Sequence, residues 1–166
     1  MRTRRAARLA GVVLGGVSLV ATATTAAHAT AGQTGAPERS GQMIAADVIN
    51  TLKNQGTGRC LDDSNSYGLR TYACNGSDYQ KWRVRVWDDG TRRFQNVLTG
   101  RCLSYSGAGL KTYSCNTSKY QSWWIKRWND GTIRLRNQWS GKCLQDSFFG
   151  GLSVATCSTS KYQSWY

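Results

Sequence analysis

The chain has 166 residues, with 22 Lys and Arg against 9 Asp and Glu, a formal charge of +13, six cysteines and one histidine. Its length suits a single domain, and its charge favours anionic or polar surfaces as partners. A lone His28 so close to the start leaves the body of the chain without imidazole. That excludes Ser-His or Cys-His nucleophile pairs and imidazole metal sites there.

Met1 to Arg8 carries four arginines, Leu9 to Val20 is apolar, and Ala27-His28-Ala29 is a small-x-small cleavage sequence. Residues 1–29 read as a secretory signal peptide, with an apolar run too short to span a bilayer. Ala6-Ala7 follows Arg4-Arg5 where a twin-arginine signal carries a bulky apolar residue, so the general secretory route is expected. Cleavage after Ala29 leaves about 137 residues with a charge of about +9 and an extracellular destination. Residues 30–47, with Gly32, Gly35, Pro37 and Gly41, read as a flexible segment. Only Met43 to Ile49 there is apolar enough for a short helix or strand.

From residue 48 to 166 three units align almost without gaps. Leu52, Phe94 and Leu135 open them, and Asn54, Asn96 and Asn137 follow. Then come Gly58-Arg59-Cys60-Leu61, Gly100-Arg101-Cys102-Leu103 and Gly141-Lys142-Cys143-Leu144. Each unit ends on Tyr-Gln-x-Trp, at Tyr79 to Trp82, Tyr120 to Trp123 and Tyr162 to Trp165. The Gln-to-Gln steps are 41 and 42, which marks a repeat architecture. The segments are short, β-branched or aromatic, and broken by Gly, Asn and Asp, so the fold class is all-β. Trp82 to Trp87 alternates with period two, and Trp124 to Trp128 does so less cleanly. They run into the hairpin turns Asp88-Asp89-Gly90 and Asn129-Asp130-Gly131, which stitch one unit to the next. The third copy stops at Tyr166, so its last strand is expected to be short or to pair with the N-terminal segment.

Six cysteines in an exported chain read as disulfides. Each unit holds one pair, so the symmetric solution is Cys60–Cys74, Cys102–Cys115 and Cys143–Cys157. Each closes a loop of about 15 residues, worth roughly 3 kcal/mol in the chain-entropy model. A thiolate metal site lacks any Cys-x-x-Cys spacing, and no cofactor is expected.

Three units of this length, each with Gly-x-Cys-Leu, a second cysteine and Gln-x-Trp, resemble the ricin B-type lectin family. The Tyr before each Gln, with Leu61-Asp62 and Asn75 in the first unit, is similar to the actinohivin-like bacterial lectins, which bind high-mannose glycans. The resemblance implies a β-trefoil over residues 48–166, with six barrel strands, three capping hairpins and a shallow sugar pocket in each unit (α, β and γ). Glycans or polysaccharides are then the expected partners.

A sugar site needs a flat aromatic face and a planar acceptor or amide to bridge hydroxyls. In the family the acceptor follows Cys-Leu: Asp62 in α, but Ser104 in β and Gln145 in γ. The aromatic two places before the second cysteine is Tyr72 in α, Tyr113 in β and Ala155 in γ. The residue after that cysteine is Asn75, Asn116 or Ser158. The expected binding set is therefore Asp62, Tyr72, Asn75, Tyr79 and Gln80 in α, with Tyr113, Asn116, Tyr120 and Gln121 in β. Unit α is the best pocket and γ the poorest, although Phe148, Phe149 and Trp139 offer γ another aromatic surface. Arg70 replaces the tyrosine of the actinohivin-like group, so sugar preference does not carry over. Two readings compete at Asp62: a sugar acceptor, or a turn carboxylate paired with Arg59 or Arg70. Trp82, Trp123 and Trp165 are expected in the core, and Gln80, Gln121 and Gln163 serve either as turn braces or as pocket borders.

The basic residues Arg83, Arg85, Lys126, Arg127, Arg134 and Arg136, with Lys119 and Lys161, read as a solvated face or as an attraction for anionic cell-wall or extracellular polymers. Export argues against nucleic acid as a purpose. An enzyme is disfavoured: glycoside hydrolysis needs two facing carboxylates, the sole glutamate, Glu38, precedes the repeats, and Asp62, Asp63, Asp78 and Asp146 are not repeated as a pair. A trefoil-type protease inhibitor is the remaining alternative, with no identifiable reactive loop. Shallow single sites bind at about millimolar strength, so useful affinity comes from linking them.

Overall fold

A computed structural model describes residues 47–166; the expected signal peptide at 1–29 and most of the segment at 30–47 lie outside them. Eleven strands are present among the described residues. They are β1 (Val48–Thr51), β2 (Cys60–Ser64), β3 (Gly68–Tyr72), β4 (Lys81–Val86), β5 (Arg92–Asn96) and β6 (Cys102–Ser106). They continue as β7 (Gly109–Tyr113), β8 (Trp123–Arg127), β9 (Ile133–Asn137), β10 (Cys143–Ser147) and β11 (Gly151–Ala155). Two single 3-10 turns, Asp78–Gln80 and Lys161–Gln163, precede the Gln-x-Trp tryptophans. No helix among the described residues is long and apolar enough to cross a membrane.

The pairing is that of a trefoil. Antiparallel contacts run β1-β4-β5-β8-β9 around a barrel, and the hairpins β2–β3, β6–β7 and β10–β11 form the cap. Trp165 closes the ring by bridging both Ile133 and Asn54. Lys53 and Tyr166 exchange backbone hydrogen bonds at 3.2 and 2.9 Å. The last strand is thus reduced to a bridge, short as the repeat pattern predicts, and it closes on the start of the first unit.

The core repeats in threes because the sequence does. Leu52, Phe94 and Leu135, then Leu61, Leu103 and Leu144, then Trp82, Trp123 and Trp165 are all buried in one cluster. Each indole N–H donates to the carbonyl of its own unit's Cys-Leu leucine, at 3.0, 3.1 and 3.2 Å. A buried tryptophan thereby loses no polar partner. The three disulfides are those the repeat selects.

Neighbouring units are tied by polar side chains that the individual repeats do not reveal. The buried amides of Asn54, Asn96 and Asn137 donate to the carbonyls of Tyr162, Tyr79 and Tyr120 in the preceding unit at 2.8, 2.7 and 2.9 Å. Asp63 of α accepts from Arg101 of β through both oxygens, at 2.9 and 3.0 Å, and also from Thr99 and Thr112. Asp146 of γ accepts in the same way from Arg59, Thr57 and Thr71 of α. Both carboxylates are fully buried. Asp63 and Asp146 occupy one repeat position, and they clamp two of the three seams. At the third, Tyr105, Lys142 and Val154 stand in place of acid, arginine and threonine. There Trp139 packs on Tyr105 and Tyr120, with ring centroids 6.1 and 5.1 Å away.

The repeat position of Trp139 is Leu98 in β and Gly56 in α. A Cβ added to Gly56 would lie 2.3 Å from Tyr162 Cδ1, so the ring occupies the space a side chain needs. Gly56→Leu, which copies unit β, is expected to cost about 1–3 kcal/mol as an overpacked contact. A chemical denaturation midpoint unchanged by the substitution would show that Tyr162 moves aside freely.

The two hairpin turns are braced alike. Asp89 Oδ1 accepts from the hydroxyl and amide of Thr91 at 2.7 and 2.9 Å, and Asp130 does the same with Thr132 at 2.7 and 3.0 Å. The threonine hydroxyl first, then its amide, holds each carboxyl below its usual value. Each turn is therefore supported at neutral pH, and that support fades as pH falls through the folded-state value.

Candidate functional site

Each capping hairpin places the residue after Cys-Leu directly opposite a second side chain: Asp62 faces Arg70, Ser104 faces Lys111 and Gln145 faces Ser153. In unit α this register makes an ion pair, Arg70 Nε to Asp62 Oδ1 at 2.9 Å. The other oxygen, Oδ2, accepts from Gln80 Nε2 at 3.3 Å. Asp62 is 1% exposed. Of the two readings for Asp62, the geometry displays the carboxylate paired with Arg70, and Gln80 satisfies its other oxygen. Arg59, the other expected partner, goes to Asp146.

Arg70 is the residue the α hairpin presents outward. Its guanidinium carbon lies 4.6 Å from the Tyr67 ring centroid and 4.4 Å from that of Tyr72. Both rings are exposed. Nε is anchored on Asp62, while the two terminal nitrogens of the fork make no hydrogen bond among the described residues. A donor held at its base and flanked by two aromatic rings is a pre-organised contact for hydroxyl or carboxylate oxygens. Asn75, also exposed, accepts the Ser77 amide on Oδ1 at 3.0 Å and leaves its own amide nitrogen outward. Tyr79 is half-buried.

The glutamines have a different place. Gln80, Gln121 and Gln163 are 0, 2 and 3% exposed. Each amide oxygen accepts the backbone N–H after the second cysteine, of Asn75, Asn116 and Ser158, at 2.8–2.9 Å. Each amide nitrogen donates to the carbonyl before that cysteine, at 2.9–3.0 Å. They brace the loop from behind. Of the two readings for Gln80 and Gln121, the turn brace is the one the geometry displays.

Unit β keeps exposed Tyr113 and Tyr120, with Asn116 at the surface. Ser104 is too short to reach Gln121. Tyr120 stands edge-on to Trp139, so the aromatic that seemed to belong to γ serves the β side of the seam. In unit γ, Gln145 bonds Ser153 and Gln163, at 3.2 and 3.3 Å. Phe149 projects fully into solvent and Phe148 stands edge-on to Tyr162, with 6.3 Å between centroids. Sequence reasoning missed Tyr67 and Arg70 as outward members of the α hairpin. The signal was present in the cross-strand register of a hairpin whose strands flank residues 65–67.

The model of the ricin-type beta-trefoil lectin domain matches residues 49–165. Among solved structures, the designed threefold-symmetric protein ThreeFoil superposes with a TM-score of 0.65 at 23% identity, covering 70% of this chain and 95% of that one. The hemolytic lectin CEL-III gives 0.61 at 22%, covering 72% of this chain and 30% of its own. A Polyporus squamosus lectin bound to Neu5Aca2-6Galb1-4GlcNAc gives 0.62 at 14%, covering 73% and 48%. No curated protein matches. At these identities the neighbours establish the trefoil, and the domain match establishes the family. The chain belongs to the ricin-type β-trefoil lectin domain family, a family of non-catalytic carbohydrate-binding modules.

Proposed function

We propose that this chain is a secreted lectin whose working sugar site is the α hairpin, built on Arg70 between Tyr67 and Tyr72, with Asn75 beside it and Asp62 as the anchor behind. The observation that carries this reading is the half-used guanidinium: one nitrogen is fixed on a buried carboxylate and the others stay open between two exposed rings. The rings receive the apolar face of a pyranose, and the fork and the Asn75 amide bridge its hydroxyls. Units β and γ lack this set, so one chain carries one strong α-type site and gains affinity on multivalent surfaces.

A glycan array on the chain from Thr30 onward tests this. Binding to a neutral glycan is expected, and Arg70→Ala should weaken it at least tenfold. Asp62→Asn should weaken it less, because the hydrogen bond to Arg70 is kept while the charge is lost. If Arg70→Ala instead strengthens binding, Arg70 is a plug and Asp62 is the direct acceptor. Array signals confined to anionic polymers and abolished by salt would remove the α hairpin as a sugar site.

A further inference from the structure

The heptapeptide Thr117 to Trp123 recurs unchanged as Thr159 to Trp165, whereas unit α carries Gly76-Ser77-Asp78-Tyr79-Gln80-Lys81-Trp82. The four positions common to all three copies, Ser, Tyr, Gln and Trp, include the loop brace and the core. The three that differ, Gly76, Asp78 and Lys81 against Thr, Lys and Ser, have no such duty. In units β and γ these positions face two clefts beside the Asp-Gly turns.

The first cleft, of about 290 Å³, is lined by Trp87, Asp89, Thr117, Lys119, Ser122 and Gln138. The second, of about 520 Å³, is lined by Trp128, Asp130, Thr159, Ser164 and Gln55, with Lys126 and Arg127 at its edge. Trp87, Asp89, Thr117, Ser122 and Gln138 of the first correspond under the threefold repeat to Trp128, Asp130, Thr159, Ser164 and Gln55 of the second, whereas Lys119 lines the first cleft and its counterpart Lys161 lies over Tyr162. The same hydrogen bond crosses each: Gln138 Nε2 to Asp89 Oδ2 at 2.8 Å and Gln55 Nε2 to Asp130 Oδ2 at 3.1 Å. At the third such place β1 enters without a preceding hairpin turn among the described residues, and Asp78 pairs with Lys81 there at 2.8 Å. Thr, Lys and Ser therefore accompany the two Asp-Gly turns and their clefts, whereas the α copy, with no such turn before β1 among the described residues, carries Gly, Asp and Lys.

Next to each cleft's tryptophan two cations are set directly across from one another, Arg85 with Arg93 and Lys126 with Arg134, and of these Lys126 lines its cleft. Like charges in that register destabilise a sheet. Both pairs crowd the cleft's tryptophan, at 4.8 and 5.3 Å from the Trp87 centroid and 4.3 and 5.4 Å from that of Trp128. Nε of Arg93 and Nε of Arg134 are buried without a hydrogen-bond partner among the described residues. Burial and then the Arg85 charge lower the Arg93 pKa, against a smaller opposing effect of Asp47. A face that only needed to be soluble would not hold the same repulsive pair at the same place twice.

We propose that these two clefts are a repeated binding site for an acidic saccharide, separate from the α hairpin: the Asp, Gln, Thr and Ser side chains take ring hydroxyls, and the cation pair beside each tryptophan takes the anionic substituent. None of Asp62, Tyr72, Asn75, Tyr113 or Asn116 lines either cleft. The anionic substituent relieves the cross-strand repulsion, and two sites on adjacent hairpins let one polymer chain engage both.

The test is a titration with a galacturonate trimer, followed through the indole N–H signals of Trp87 and Trp128 in nitrogen-labelled protein. Both should shift, while the core tryptophans Trp82, Trp123 and Trp165 stay in place. The combined substitution Thr117→Gly, Lys119→Asp and Ser122→Lys writes the α sequence into β. It should remove the Trp87 response and leave that of Trp128, whose unaltered signals also report that the fold is intact. Arg85→Gln should weaken the Trp87 site about tenfold without lowering the melting temperature, because it removes a repulsion. Arg70→Ala should change neither response, which separates this proposal from the α hairpin reading. Failure of both indoles to shift would overturn the proposal, as would a Trp87 response that survives the triple substitution. Equal binding of the neutral galactose trimer, or tighter binding of a single-stranded oligonucleotide than of the uronate, would overturn it too.

Discussion

Replacing Asp63 with alanine is expected to lower stability by about 3–5 kcal/mol, the range for breaking a buried ion pair from one side. Arg101 would keep its charge at the seam between α and β, where it now meets both carboxylate oxygens. Thr99 and Thr112 would lose their acceptor as well. For a domain of this size the melting temperature should fall by roughly 10–25 °C. The third seam shows a solution without a buried ion pair, with Tyr105 and Val154 in the equivalent places and an exposed Lys142 whose charge stays in water. Asp63→Tyr together with Arg101→Lys and Thr112→Val should therefore recover much of the loss, since the lysine charge can reach solvent as that of Lys142 does. A fall below about 1 kcal/mol for Asp63→Ala would mean that water enters the seam and solvates Arg101.

Reduction should be more drastic. Each disulfide closes a loop of about 15 residues, worth roughly 3 kcal/mol, and together the three approach the whole stability of a typical domain, about 5–15 kcal/mol. The fully reduced chain is expected to be unfolded or nearly so at 37 °C. Cys102→Ser with Cys115→Ser, by contrast, should leave a folded domain with its denaturant midpoint displaced by about one third of the total effect. Retention of near-ultraviolet circular dichroism after complete reduction would show that the threefold leucine and tryptophan core suffices alone.

Most of the architecture was legible in the sequence because it is stated three times. A core position that recurs as Leu, Phe, Leu or as three tryptophans leaves little choice of face, and one cysteine pair per unit leaves one symmetric connectivity. What escaped is what crosses between units. Asp63 and Arg101 are 38 positions apart and sit at different places in their repeats, so aligning copies with each other hides the contact. The Asp62–Arg70 pair was visible as one alternative, since both lie on one hairpin. Its completion by the buried Gln80 amide was not, because an amide reads the same whether it faces a ligand or braces a loop. The clefts draw on three separate stretches, around residues 87–91, 117–122 and 138, and no local pattern contains them.

The bridge from Trp165 to Asn54 and Ile133 joins the two ends of the repeat region. During synthesis Asn54 appears more than a hundred residues before the residue that completes its side of the ring. The hairpins can form as they emerge, but the barrel stays open until the final tryptophan arrives. Assembly is thus governed by the most distant contact in the domain, a topology that folds slowly. A chain stopped just short of Trp165 would lose both the seal of its ring and one third of its aromatic core.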